Sequence, residues 1–321
     1  MSVDVSRAMS ESIELGPGRE FDIIRDLLAR WGARAEGIGD DAALLDVPAG
    51  EQLVASADTS VEHIHFERAW LTPREIGYRA TMAALSDLAA MAASPLGVLL
   101  ALGLPKSWLA SVGEIGDGVG DALDVAKTLM RGGDITGASD LTLGFTVLGS
   151  TTAPLRRGSA RVGDTVYATG ALGGPGAALA AWQRGDTPDA AARERFVRPV
   201  ARIREALWLA RGGARAAIDI SDGLLADAEH MATASGVRIQ IDLDCLPLHD
   251  GVDARAAAMS GEEYELIVCA AALNVSAFER ATGLRITAIG RVMEPIPDGI
   301  GVTARINGEQ LAPAKGFRHF S

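Results

Sequence analysis

The sequence predicts an α/β (α+β) protein of two domains, and three observations carry that prediction. Its 321 residues exceed the usual span of one domain. Helical periodicities alternate along the whole chain with short β-branched runs. A turn-rich connector, TTAPLRRGSARVGD at 151–164, separates two stretches of this alternation. The boundary is expected near residue 150, giving domains 1–150 and 151–321.

In the first domain, REFDIIRDLLARWG from Arg19 has the apolar spacing of an amphipathic helix, and QLVASAD from Gln52 reads as a strand. TPREIGYRATMAALSDLAAMAA follows as a long helix, with Thr72 as cap and Pro73 at its first position. LGVLLALGLP is a strand, residues 107–130 look helical, and LTLGFTVLGS closes the domain as a strand. The second domain opens with the strand TVYATG, the glycine-rich ALGGPG and an alanine-rich helix through Ala181. AAIDI is a strand, SDGLLADAEHMATAS a helix, and VRIQIDL, YELIVCA and RITAIGRV are further strands. In GVTARINGEQL, Asn307-Gly308 between strand-like runs predicts a type I′ hairpin.

Composition narrows the function classes. A net charge of −12 argues against nucleic acid and anionic membrane surfaces, both of which require a basic footprint. Only Lys106, Lys127 and Lys315 are lysines, so the positive charge is almost entirely arginine, suited to gripping phosphate and not to Schiff-base chemistry. Cys245 and Cys269 have no CxxC partner and are expected to be buried free thiols. No apolar run approaches the roughly 20 residues of a membrane span, and MSVDVSRAMSESIELGPG lacks a signal peptide's hydrophobic region. A cytoplasmic protein is expected.

The chemistry lies in recurring aspartates. IDISDGLLAD places Asp219 and Ser221 on one strand face and Asp222 at a helix start. Alone, this segment reads first as Ser221 or Asp222 capping the helix, both being preferred N-cap residues. The pattern recurs, however: GIGDDAALL carries Asp40 and Asp41, VASADTSVEHIHF carries Ser56 and Asp58, LSDLAAM carries Asp87, and RGGDITG carries Asp134. Clustered carboxylates raise one another's pKa unless a cation sits among them, and magnesium shared with nucleotide phosphates satisfies that need. No GxxxxGK[ST] loop, no GxGxxG after a first strand and no HRD or DFG constellation is present. GALGGPG could bring backbone N–H groups to an anion or simply form a tight turn. His63 and His65 would share a strand face but lack a third spaced ligand. Glu262, Glu263 and Glu265 read singly as strand-edge charge, and Phe317 as an anchor for the chain end.

Taken in order, EFDII, GIGDDAALL, SADTSVEHIHF, GYRATMAALSDLAAM, GGDITG, RRGSARVGDTVYATG, AIDISDGLLAD, SGEEYEL and KGFRHF resemble the thiamine-monophosphate kinases. These belong to the superfamily of aminoimidazole ribonucleotide synthetase and selenophosphate synthetase. The resemblance spans nearly the whole chain. It implies a two-domain aminoimidazole ribonucleotide synthetase-like fold: an N-terminal sheet domain pairing in a homodimer and binding metal and ATP, and a C-terminal α/β domain completing the site. It further implies that Asp41, Ser56, Asp58, Asp87, Asp134, Asp219 and Asp222 hold Mg²⁺, with the Ala57 carbonyl as a further ligand. Asp58, Asp87, Asp134 and Asp222 would be catalytic, and Gly133, Asp134, Arg157 and Ser221 would contact ATP. His65, Glu262 and Phe317 would contact thiamine monophosphate. The implied reaction is direct γ-phosphoryl transfer from ATP, giving thiamine diphosphate.

Three departures stand out: Ala57 replaces a Thr or Ser, His63 a glycine, and SGEEYEL the commoner GGEDYEL. His63 is expected to disturb its loop most, since histidine takes positive φ less readily than glycine. The competing readings are another ATP-dependent synthetase of the superfamily, a magnesium-dependent phosphohydrolase and a non-catalytic nucleotide-binding regulator. The chain ends FRHFS, without the cysteine-bearing or glycine-rich terminal segments of some relatives.

Overall fold

The computed structural model describes residues 18–295 and 301–311. Phe317 and Lys315 lie outside the described residues. In chain order the elements are α1 (Arg19–Trp31), β1 (Gln52–Val61), α2 (Pro73–Ala90), β2 (Ser94–Leu104), α3 (Val112–Ala126), β3 (Met130–Gly137) and β4 (Thr142–Thr151). They continue as β5 (Thr165–Thr169), α4 (Gly174–Gln183), α5 (Ala190–Val197), α6 (Ile203–Arg211), β6 (Ala216–Asp219), α7 (Leu224–Ser235) and β7 (Arg238–Asp242). The last are α8 (Ala254–Met259), β8 (Leu266–Ala270), α9 (Val275–Thr282), β9 (Ile286–Met293), β10 (Gly301–Ile306) and β11 (Glu309–Gln310).

Two compact units emerge. Among the described residues, one comprises 18–49, 55–84 and 95–149; the other comprises 50–54, 85–94, 150–295 and 301–311. Helix α2 runs from the first into the second, so Ser86 and Asp87 belong with the second unit.

The first unit holds a four-stranded sheet in the order β1-β4-β2-β3. Thr72 caps α2 as a capping box: the Glu75 N–H donates to Thr72 Oγ1 at 3.3 Å, and the Thr72 N–H to Glu75 Oε2 at 2.9 Å. Helices α2 and α3 approach through glycine. A Cβ at Gly118 would lie 1.9 Å from the Arg74 carbonyl oxygen, and one at Gly77 2.1 Å from that of Ile115. Helix α1 lies on the Gly113, Gly116 and Gly120 side of α3, where Trp31 Nε1 donates to the Gly116 carbonyl at 2.8 Å.

Where a helix through residue 130 is expected, α3 stops at Ala126 and RGGDITG becomes strand β3, parallel to β2. Gly133 permits this pairing, since a Cβ there would come within 2.1 Å of the Leu100 carbonyl oxygen.

The second unit holds a seven-stranded mixed sheet in the order β11-β10-β7-β9-β5-β8-β6. β5 pairs antiparallel with both β8 and β9, and β7 parallel with β10. Its core gathers Val166, Ile218, Ile220, Met231, Ile239, Ile267 and Cys269. Both cysteines are free thiols, but Cys245 is exposed, because it lies in a short 3-10 turn after β7 rather than in a strand. At Asn307-Gly308 both φ values are positive, 51° and 80°, which makes the β10–β11 turn the expected hairpin.

Candidate active site

In the second unit the aspartate turn follows β6 directly. Asp219, the last residue of that strand, is buried, and Ser86 Oγ donates to its Oδ2 at 2.7 Å. Burial, reinforced by the neighbouring negative charge of Asp87, pushes the Asp219 carboxyl up to about 6 despite the Ser86 bond and the charge of Arg157. The chain then turns through Ser221 and Asp222 to Gly223, whose φ of 126° suits glycine.

Neither Ser221 nor Asp222 caps α7. Its N-cap is Gly223, which has no side chain to offer. Asp227, one turn into the helix, does the work instead. Its Oδ2 accepts the N–H groups of Ser221, Asp222 and Gly223 at 3.0, 3.1 and 3.1 Å. Asp222 and Ser221 are thereby free of capping duty, each half-buried. Burial first, then the charges of Asp219 and Asp222, push Asp227 up to about 7. Ligand atoms of Asp222, Asp227 and His230 all lie within 4.8 Å of one another, a spacing that could hold a metal ion. Asp227 and His230 were not singled out by the sequence. Their trace is an acid in the first turn of a helix whose N-cap is glycine, with a histidine three residues on.

A second loop sits on this turn. The Glu262 N–H donates to the Ser221 carbonyl at 2.7 Å and the Tyr264 N–H to that of Ile220 at 2.9 Å. Tyr264 Oη donates to Glu262 Oε2 at 2.8 Å. Arg157, in a 3-10 turn against α7, is exposed and fixed through its backbone, its carbonyl accepting the Ser235 hydroxyl at 2.8 Å.

The first unit carries the remaining positions. Strand alternation in β1 puts half-buried Ser56 and Asp58 on one face and exposed Ala57 on the other. Asp41 is exposed in the loop after α1, and Asp134 is exposed on β3, beside Gly133. Gly133 and Asp134 border an apolar recess whose lining includes Ile24, Leu27, Trp31 and Met130.

After β1 the chain turns sharply, so His63 and His65 do not share a strand face. His63 has φ 69°, the left-handed conformation that glycine takes without strain. Its Nδ1 pairs with Glu67 Oε2 at 2.9 Å, and that hydrogen bond raises its pKa. His65 is held differently: the Val61 N–H donates to its Nδ1 at 3.1 Å. In the neutral ring this leaves the proton on Nε2. Buried Glu62 steadies the turn by accepting Trp108 Nε1–H at 2.7 Å.

Two family models divide the chain between them. AIR synthase related protein, N-terminal domain, matches residues 39–151, and AIR synthase related protein, C-terminal domain, matches residues 161–296. Fold and carboxylates thus define an AIR synthase-related two-domain protein. A thiamine-monophosphate kinase of Synechococcus elongatus is 36% identical over 307 residues, covering 89% of this chain and 92% of the relative. The crystal structure of thiamine-monophosphate kinase from Stenotrophomonas maltophilia K279a superposes with TM-score 0.79 at 37% identity, over 88% of this chain and 96% of that one. AaThiL complexed with AMPPCP and TMP superposes with TM-score 0.74 at 30% identity, over 97% of this chain and all (100%) of that one. The chain belongs to the thiamine-monophosphate kinase family.

Proposed function

We propose that this chain transfers the γ-phosphoryl group of ATP to thiamine monophosphate, giving thiamine diphosphate and ADP. The observation that carries the reading is identity of about one residue in three with thiamine-monophosphate kinases across nearly nine-tenths of the chain. A complex of AaThiL with AMPPCP and TMP, sharing this fold, supports the same pair of substrates.

A phosphate monoester has a second pKa near 6, so the attacking oxygen is largely ionised at neutral pH. No strong base is needed. What must be supplied is in-line positioning of two polyanions and neutralisation of their charge. Asp41, Ser56, Asp58 and Asp134, with the Ala57 carbonyl, and Asp87, Asp219 and Asp222 are the groups that would hold magnesium. The donor set fits that ion: hard oxygens, and carboxylates whose ionisation burial and mutual repulsion oppose, as at Asp219 and Asp227. Magnesium, when bound, supplies charge neutralisation on the phosphate oxygens.

Gly133, Arg157 and Ser221 contact ATP in this reading. His65, its proton on Nε2, donates to a phosphate oxygen of thiamine monophosphate and orients it. Glu262, itself oriented by the Tyr264 hydroxyl, faces the cationic thiazolium together with Phe317, which lies outside the described residues. Residues 1–150 serve metal and ATP binding and pair in a homodimer, and residues 151–321 complete the site. Among the described residues no helix is long and apolar enough to cross a membrane. We place the enzyme in the cytoplasm.

Phosphorus NMR with Mg-ATP tests the reading, run with thiamine monophosphate, with thiamine and with no acceptor. Thiamine diphosphate and ADP should appear in equal amounts with the monophosphate alone. ADP and phosphate released without acceptor would make the protein a hydrolase.

A further inference from the structure

We infer that Glu263, together with Ser260, is a positioning residue for substrate: it pins the 260–265 loop, which carries Glu262, to the glycine-rich start of α4. The inference rests on the reading of Glu262 as a thiamine-monophosphate contact.

The loop ends at Glu265, whose buried carboxylate accepts from Thr169, Arg195 and Arg202, and ahead of that residue it has two further anchors. On one side the N–H groups of Glu262 and Tyr264 bond the carbonyls of Ser221 and Ile220. These are backbone bonds, which almost any residue could make. On the other side the anchor is made by side chains. Glu263 Oε1 accepts the Gly173 N–H at 2.6 Å and the Ser260 hydroxyl, also at 2.6 Å. Ser260 Oγ in turn accepts the Gly176 N–H at 3.0 Å. The approach at Gly176 is close: a Cβ there would meet Ser260 Oγ at 2.5 Å. GALGGPG forms a tight turn, with Gly170 and Gly173 at φ of 65° and 97°, and two of its amides, those of Gly173 and Gly176, are committed to the loop.

The brace sits where the backbone is least comfortable. Glu262 and Tyr264, on either side of Glu263, have φ of 65° and 51°, the left-handed region that non-glycine residues avoid. That conformation brings together the two side chains that bond each other, the Tyr264 hydroxyl and the Glu262 carboxylate. Glu263 is also an expensive choice for a purely structural role. It is 1% exposed, and its Oε2 has no hydrogen-bond partner among the described residues. A buried carboxyl with an unmade bond works against stability. Burial pushes it up to about 7, in keeping with that cost. Ser260 and Glu263 are also the two positions at which SGEEYEL departs from the commoner GGEDYEL, and here the two bond each other.

The test is steady-state kinetics on the full-length enzyme, with melting temperature measured alongside. Glu263→Leu removes both accepted bonds and the buried carboxyl. It should raise KM for thiamine monophosphate roughly tenfold and leave KM for ATP and kcat within about twofold. Glu263→Gln, which keeps an acceptor for both donors, should restore most of the loss. Ser260→Ala should raise the same KM less, and its effect should not add to that of Glu263→Leu, because the two share one bond. If Glu263→Leu does not fold, Ser260→Ala carries the test by the same KM ratio. Unchanged KM values, or loss of kcat with both KM values intact and a lower Tm, would overturn the brace. Glu262→Gln, measured in parallel, separates the two readings. A raised KM there with none in the Glu263 and Ser260 variants sinks the brace alone; no change in any of them sinks the role of Glu262 and the brace with it.

Discussion

Asp227 and His65 divide the lesson of this site at the scale of single residues. His65 was legible because its neighbours spell a family pattern, and the structure adds what no spelling contains: an Nδ1 already engaged by the Val61 N–H. A ring so held donates through Nε2 and is poorly placed to take a proton. His65→Gln, which still donates, should therefore lower activity while preserving the neutral-pH plateau of kcat. A pH–rate profile that loses in the variant an ionisation present in the wild type would mark His65 as a general base instead. Asp227 was not legible, because its role exists only once the turn has formed and three N–H groups converge on one oxygen. Sequence offers the candidates for a cap in order of preference, Ser221 and Asp222 first. Geometry then chose a residue inside the helix, leaving the other two, both half-buried, without capping duty. His63 lies between these cases: a histidine where glycine is usual pointed to a strained turn, and φ of 69° is that strain.

Among elements, what could be read depended on whether the determining contact was local. The Thr72 cap, the Asn307-Gly308 hairpin and the strands β1, β2, β4 and β5 rest on neighbours in sequence, and they are where pattern puts them. β3 is not of this kind. Two adjacent glycines argue against a strand on propensity, and only pairing with β2, at a separation that excludes a side chain at Gly133, makes it one. The same tight approach governs α2 and α3. The Cβ of a Gly118→Ala variant would sit 1.9 Å from the Arg74 carbonyl oxygen, in a helix that is itself packed. Backbone cannot swing aside as a long side chain can, so the helices must separate. The variant should lose about 2–3 kcal/mol of stability, the upper part of the usual range for overpacking, although alanine is the better helix former. Gly37→Ala, where a Cβ meets nothing within 4 Å but φ is 86°, is the comparison: any loss there is backbone strain alone. Thermal melts of the two variants separate these causes, and a Gly118→Ala protein as stable as wild type would mean that the helices are not held at this distance in solution.

For the molecule as a whole, the acidic balance ties stability to both protons and magnesium. The net charge is −12, and burial pushes three carboxyls, Asp219, Asp227 and Glu263, up to about 6, 7 and 7. In the unfolded chain each would ionise at about 4. Between these values the folded state binds protons that the unfolded state does not, so stability must rise as pH falls from 8. That gain is complete once pH drops below about 4, where the unfolded chain is protonated too. For Asp227 the full effect is on the order of 4 kcal/mol, at 1.36 kcal/mol per pKa unit. Magnesium competes for the oxygens of Asp219 and Asp227 and requires them ionised, so its stabilising effect should run the other way, large at pH 8 and fading towards pH 5. Melting curves in EDTA and in excess Mg²⁺, at unit steps from pH 5 to 8, measure both trends at once. Relief of general surface repulsion would also favour the acid side in EDTA, and Asp227→Asn removes that ambiguity. The amide oxygen still accepts the three N–H groups, the buried charge is gone, and the EDTA slope above pH 6 should flatten. A slope unchanged in Asp227→Asn would assign the pH dependence to the surface or to the buried Asp219 and Glu263; a magnesium shift of the same size at every pH would mean that the ion binds away from Asp219 and Asp227.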